Sequence, residues 1–88
     1  MRQEASYFEG HEPVLVYIAK RLKDALRLED ILTHAGLDYG VEADQYYGGF
    51  LFRRERTGAF FYVLPDVAQA AHRVMISNGY KPFEERVT

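Results

Sequence analysis

Val14-Leu15-Val16-Tyr17-Ile18-Ala19 is an unbroken run of apolar and aromatic residues, bounded by Pro13 and by Lys20. The run is shorter than an ordinary helix and is rich in β-branched and aromatic side chains, which predicts a strand. Because no polar residue occurs at alternate positions, this strand is expected to be buried on both faces.

After this strand, apolar residues recur at the spacing typical of a helix. Ala25, Leu28 and Leu32 recur at helical intervals, and the opposite side is charged. Gly36 before an apolar residue is a typical helix stop, since glycine adopts without strain the left-handed conformation that ends a helix. A helix is therefore predicted over residues 21–35.

An edge strand and a hairpin are predicted next. Residues 38–43 alternate polar or small residues with apolar ones, as a half-exposed edge strand does. Residues 44–49 have the composition of a loop or of a bulged strand continuation. Two runs, 50–54 and 59–64, then flank Glu55-Arg56-Thr57-Gly58, a sequence typical of a hairpin turn.

The last part of the chain repeats the helix signals. Asp66 followed three residues later by Gln69 matches a capping box, which predicts the start of a second helix that ends at Gly79. Residues 80–87 are expected to form a short terminal strand or an extended tail. Pro82 places this segment at a sheet edge, since proline cannot donate a hydrogen bond to a central ladder.

The predicted order of elements is that of a ferredoxin-like fold. Two strand–helix–strand units that share one antiparallel sheet give a βαββαβ two-layer sandwich, here with an extra hairpin strand. The predicted fold class is therefore α+β. Residues 1–13 have neither a helical nor a strand period and are expected to be a flexible N-terminal arm, with residues 14–88 as a single ferredoxin-like domain.

The composition limits the classes of function. The chain has 88 residues, the length of one small domain, with no cysteine and a net charge of −2 at pH 7. The absence of cysteine excludes disulfide scaffolds, thiol nucleophiles and cysteine-ligated metals, and we predict no metal site and no cofactor. With no apolar leader or membrane-length segment, a cytoplasmic protein without a membrane partner is expected. The negative net charge argues against nucleic acid as the partner.

The predicted strands carry more apolar surface than two helices can cover. Every residue of 14–19, 50–52 and 59–64 is apolar or aromatic, whereas a wet second face would show polar residues at alternate positions. We therefore expect another subunit, a partner or a ligand to cover that face, most simply a second copy in a two-fold homodimer. The residues expected at this interface are Tyr17, Phe60 and Tyr62. The alternative is that the arm, with Tyr7 and Phe8, folds over the sheet.

A ligand site is predicted where the first helix begins. Lys20, Arg21 and Lys23 cluster there, although cations are unfavourable beside the positive end of a helix dipole unless an anion is also present. We therefore expect a small anionic ligand to bind at this junction. Tyr46 and Tyr47 are expected to flank the site as a lid.

Two other functions stay open. The first is a small enzyme with its active site at the dimer cleft, in which His72 or the pair Glu42 and Asp44 would act as the general base. The second is single-stranded RNA binding, because the topology matches RNA-recognition domains that stack bases on aromatic residues of the sheet. That function requires Tyr17 and Phe60 to be exposed on one free face.

The chain resembles small prokaryotic signal-transducing domains of unknown function that have a PII-like, ferredoxin-like fold. The residues that carry the resemblance are Val16-Tyr17, Ala25, Leu28 to Leu32, Ala35-Gly36-Leu37-Asp38-Tyr39, Val63, Ala70-Ala71 and Gly79-Tyr80. The resemblance implies a bacterial cytoplasmic domain, and it supplies no site residues. Together these observations predict a non-enzymatic regulatory or binding module that is dimeric through its sheet and senses a small anionic ligand or a protein partner.

Overall fold

The computed structural model describes residues 1–48 and 54–83. Within them lie three strands and two helices, which are, in chain order, β1 (Val14–Ala19), α1 (Leu22–His34), β2 (Gly40–Gly48), β3 (Arg54–Val63) and α2 (Ala68–Ser77). Short 3₁₀ helices at Ala5–Phe8 and Pro65–Val67 precede β1 and α2. Within the described ranges, neither helix combines the length and hydropathy that crossing a bilayer requires.

The strands form one antiparallel sheet in the order β1-β3-β2, so the third strand along the chain lies between the first two. The two helices pack on one face of this sheet, which makes the protein a small α+β fold compatible with the ferredoxin-like one. Residues 81–83 are not a strand, but the Phe83 backbone N–H donates to the Val16 carbonyl at 2.7 Å, beside the free edge of β1. Of the predicted terminal strand, residues 84–87 lie outside the described residues.

The core lies between the sheet and the two helices. The sheet and both helices contribute to this core. Its largest fully buried side chains are Phe61, Leu28, Leu32, Met75, Val16 and Val63. Leu28 and Leu32 are on the predicted stripe of α1, because a helix buries residues three and four apart against a sheet. The apolar period of the sequence therefore identifies the buried face of α1 correctly.

Both predicted helix ends at glycine are confirmed, whereas the predicted capping box is wrong. Gly36 and Gly79 have φ angles of +74° and +83°, the left-handed conformation that glycine adopts most easily. At the start of α2, however, the N-cap residue is Val67 and no side chain caps the helix. The cause is Pro65, which starts a 3₁₀ turn that places Asp66 inside that turn and one residue before the cap.

The strands of the hairpin are longer than predicted. Residues 44–48, predicted as a loop or a bulged strand continuation, extend β2 without a bulge, and Glu55-Arg56-Thr57-Gly58, predicted as the turn, lies within β3. The two strands pair without a register shift from Gly40–Tyr62 to Gly48–Arg54. Gly58 has an ordinary strand conformation, and its role is steric, since an added Cβ would lie 3.0 Å from the Tyr46 ring. The predicted strand 50–52 lies outside the described residues.

The segment expected to be a flexible arm is docked on the domain. The Gln3 backbone N–H donates to the Tyr39 carbonyl at 2.7 Å, and the Tyr39 N–H donates to the Met1 carbonyl at 3.2 Å. Further along the arm, the Phe8 ring packs on the backbone of Gly40, where an added Cβ would lie 2.7 Å from the ring. Phe8 therefore seats against β2 because Gly40 has no side chain.

This contact predicts a non-additive pair of substitutions. Gly40→Ala is expected to lower the free energy of unfolding by about 1–3 kcal/mol, because the new methyl group displaces the Phe8 ring. In a Phe8→Ala background the same change is expected to be neutral or slightly stabilising, since the clash is gone and alanine restricts the unfolded chain. Urea denaturation of the four proteins measures both effects. Equal costs in the two backgrounds would contradict the docking of Phe8 on Gly40.

Candidate functional site

A cleft lies where β1 ends and α1 begins, and we call it the basic cleft. Its volume is about 950 Å³, and one wall is formed by residues 81–83. The elements that meet here are β1, α1, the β2 part of the hairpin and the segment after α2. The residues that line it are Tyr17, Ile18, Lys20, Arg21, Lys23, Asp24, Arg27, Tyr46, Lys81, Pro82 and Phe83.

The side chains that line the basic cleft are mostly positively charged. Of the described residues, five Lys or Arg side chains line it against one carboxylate, Asp24, although the whole chain has a net charge of −2. Among the residues whose side chains the structure describes, 1–46 and 56–83, none of these five cations forms an ion pair. A cluster of like charges in a shared cleft repels itself and attracts anions, and the attraction is greater where the walls exclude water.

Aromatic rings and backbone carbonyls hold two of the cations. The Lys20 Nζ lies 5.5 Å from the centre of the Tyr46 ring, and the Arg27 guanidinium lies 4.9 Å from that of Tyr80. Arg27 also donates to the Asn78 carbonyl at 3.1 Å. These contacts orient the side chains without neutralising them, since a ring face or a carbonyl carries no net charge.

The single carboxylate of the cleft is already engaged. The Tyr17 hydroxyl donates to Asp24 Oδ2 at 2.8 Å, while the Tyr80 hydroxyl donates to the Asp24 backbone carbonyl at 3.2 Å. The two tyrosine rings meet edge to face, 5.2 Å apart. Burial, and then the hydrogen bond to Asp24, raise the pKa of Tyr17 to about 12. Asp24 thus fastens the first turn of α1 to β1 and to the segment after α2.

Four of the five predicted ligand residues line one cleft. Lys20, Arg21, Lys23 and Tyr46 come together there, and the side chain of Tyr47 lies outside what the structure describes. The prediction missed two cations. Arg27 could have been found from its position four residues after Lys23, on the same side of α1. Lys81 had no comparable signal, because its place depends on the route of the chain after Gly79.

The structure separates the three residues predicted for the interface. Tyr17 packs on the helix side of the sheet, whereas Phe60 and Tyr62 alternate with buried Phe61 and therefore lie on the other face, which we call the second face. The reason is a bulge at Val16, which places Tyr17 opposite Phe61 and not opposite a residue of the second face.

The second face is partly covered by the arm. Phe60 is 9% exposed, Tyr62 is half-buried, and no strand residue is among the strongly exposed large hydrophobic residues of the described ranges. Between the arm and β2 lies a smaller pocket of about 430 Å³, which includes Phe8, Gly40 and Tyr62. The arm, which the sequence offers as the alternative to a second subunit, thus covers one end of this face.

The residues proposed for catalysis or RNA stacking do not converge. Glu42 and Asp44 are exposed on the second face, while His72 belongs to α2 on the opposite side of the sheet. His72 is half-buried, and its Nε2 atom is buried with no hydrogen-bond partner in the described structure. Tyr17 and Phe60 likewise lie on opposite faces, so they do not form the stacking pair that RNA binding requires. Among residues 1–48 and 54–83, no group of three potential metal ligands occurs.

The Tyr17–Asp24 hydrogen bond predicts a pH-dependent stability. The folded-state pKa of Tyr17, about 12, lies above the unfolded value of 10.0, so the stabilisation is complete below pH 10 and is lost as the pH rises toward 12. Asp24→Asn is expected to lower the pKa of Tyr17, measured by NMR of ring-labelled tyrosine and assigned with Tyr17→Phe. The control is Asp30→Asn, a carboxylate of the same helix that contacts His34. Equal titration of Tyr17 in both variants would contradict this assignment.

No protein-family model matches this chain, and no curated protein or solved structure matches it. The charge and geometry of the basic cleft are therefore the basis for assigning a function.

Proposed function

We propose that this protein is a non-enzymatic binding module and that the basic cleft binds an anionic ligand. The observation that carries the proposal is the ratio of five cationic side chains to one carboxylate in a single cleft, with no ion pair to these cations among the described residues. A ligand of two or more negative charges would relieve the repulsion between these cations, so its binding is favoured by charge before any specific contact is made.

The position of the cleft adds to this attraction. Arg21 is the N-cap residue of α1 and no side chain caps the helix there, so backbone N–H groups of the first turn are available to an acceptor. Apolar surface from Ile18, Pro82 and Phe83 lies beside the charges. A cleft of this size, with apolar walls and a few convergent polar groups, is typical of small-molecule sites.

We further propose that the domain has the full ferredoxin-like βαββαβ arrangement with an extended hairpin, in which the fourth strand lies beside β1. The hydrogen bond from the Phe83 N–H to the Val16 carbonyl supports this. The proposal extends to membership of the PII-like prokaryotic domains and to a regulatory role in the bacterial cytoplasm, where the bound anion or a partner protein would be the signal.

The anion site is tested with the triple variant Lys20→Ala, Arg21→Ala, Lys23→Ala. Pyrophosphate is expected to raise the melting temperature of the wild-type protein and to bind the variant at least about tenfold more weakly, because three charges of the cleft are lost. Arg73→Ala removes an exposed cation of α2 that does not line the cleft and serves as the control. An unchanged pyrophosphate-dependent shift in the triple variant would overturn the proposed site.

We also propose that two copies associate through the part of the second face that the arm leaves open. The supporting observation is that Leu15, Ile18 and Tyr62 lie on this face with part of their surface exposed, where an isolated domain would place polar residues. The predicted interface thus keeps Phe60 and Tyr62, and it no longer includes Tyr17, which packs on the helix side.

Light scattering measures this association directly. We expect a mass of twice the 10.2 kDa of one chain. Leu15→Glu is expected to reduce it to the mass of one chain, because a carboxylate buried in the interface would be unpaired. The control is Leu26→Glu, an exposed residue of α1 on the other side of the sheet. A wild-type mass of one chain at all concentrations would contradict the dimer.

A further inference from the structure

The central strand β3 is longer than the strand that flanks it on one side. The last pair between β1 and β3 is Ala19 with Ala59, after which the chain leaves the sheet to enter α1. On its other side, β3 stays paired with β2 for five more residues, from Gly58 to Arg54. In the described part of the chain, no strand lies opposite Arg54–Gly58 on the β1 side, and we call this the open edge of β3.

The open edge begins at the basic cleft. Tyr46, which lines the cleft, is the β2 partner of Arg56. At the other end, the position of an added Gly58 Cβ lies 3.1 Å from Ile18 Cγ2 and 3.2 Å from the Ala19 carbonyl oxygen. The open edge therefore continues the path of β1, and the cleft lies beside the place where a strand would follow Ala19.

Cations flank this path on both faces of the sheet. Arg56 and Lys20 lie on the side of the second face, since Arg56 has the parity of Gly58 and Phe60, and Lys20 reaches over Tyr46. Arg21 and Lys23 lie at the start of α1, on the helix side. An extended peptide placed here would direct its side chains alternately toward the two groups.

An unpaired strand edge offers backbone donors and acceptors to another extended chain, and five residues correspond to a path of about 17 Å. Peptides that bind in this way obtain affinity from main-chain hydrogen bonds and selectivity from side chains on the two faces. Each side carries two of these cations, and Asp44, the β2 partner of Gly58, is a carboxylate of the second face at the end of the open edge. Because the cations are in excess, the complementary side chains are carboxylates or other anionic groups.

We propose that the open edge of β3 receives an extended acidic peptide of a partner protein as an added strand, with its anionic side chains in the basic cleft and against Arg56. The inference rests on the proposed function, because it uses the same cations, and it identifies the ligand as a peptide. A small anion would use only the charges, whereas a peptide uses the charges and the backbone edge together.

The test compares two kinds of acidic peptide, unmethylated and backbone-methylated, on the 88-residue chain by NMR amide hydrogen exchange. One is a peptide of about eight alternating glutamate and threonine residues, and the other has the same sequence with alternate backbone nitrogens methylated, which blocks strand pairing on one edge of the peptide and leaves its charge unchanged. A matching peptide with the other set of nitrogens methylated covers the second edge. Pyrophosphate is the third kind of probe, because it carries charge without a backbone.

The unmethylated peptide is expected to slow exchange of alternate amides within Arg54–Gly58 by about tenfold or more, because they gain hydrogen-bond acceptors. Pyrophosphate and at least one of the methylated peptides are expected to shift the signals of Lys20, Arg21 and Lys23. These probes are not expected to slow amide exchange within Arg54–Gly58. If pyrophosphate shifts those signals and no peptide protects the open edge, the strand inference fails while the anion site stands. If no probe shifts them, the proposed function fails as well.

Discussion

The basic cleft depends on the way Asp24 is held. Its carboxylate accepts a hydrogen bond from the Tyr17 hydroxyl and its backbone carbonyl accepts one from Tyr80, so three separate parts of the chain meet at one residue of α1. This arrangement fixes where α1 starts relative to β1. It also engages, with a neutral donor, the one carboxylate that lines the cleft among the described residues, so none of the described carboxylates there pairs with the surrounding cations. The same contact thus positions the helix and preserves the charge on which binding depends.

The sheet shows how a small domain distributes a large number of aromatic side chains. Phe61 and Tyr39 stack in the helix-side layer, while Phe60 and Tyr62 lie on the second face. The first residues of the chain contribute Phe8 to that second face through its contact with Gly40. A domain of this length has little interior, so even its N-terminal segment contributes to covering the sheet.

Much of the fold and the main part of the site follow from local patterns. The stripe of Leu28 and Leu32 predicts the buried side of α1, and Gly36 and Gly79 end the helices as their sequence contexts indicate. The cluster of Lys20, Arg21 and Lys23 predicts the cleft because the cations follow directly on a strand and precede a helix. These features depend on residues within one or two helical turns of each other along the chain, which is why they can be predicted from a single sequence.

Other features depend on long-range pairing and could not be predicted. The bulge at Val16 moves Tyr17 to the helix side, and the register that produces it belongs to β3 as much as to β1. The composition of residues 55–58 favours a turn, yet pairing with β2 keeps them in a strand. Lys81 reaches the cleft only because Tyr80 packs against Tyr17 and directs the following residues past β1. The assignment of an anion site to this cleft can be checked by an NMR titration of the 88-residue chain with pyrophosphate. We predict saturable shifts concentrated at residues 20–24 and 81–83 and weakened by salt. Absent shifts, or shifts of equal size at Arg2 and Arg73, would contradict it.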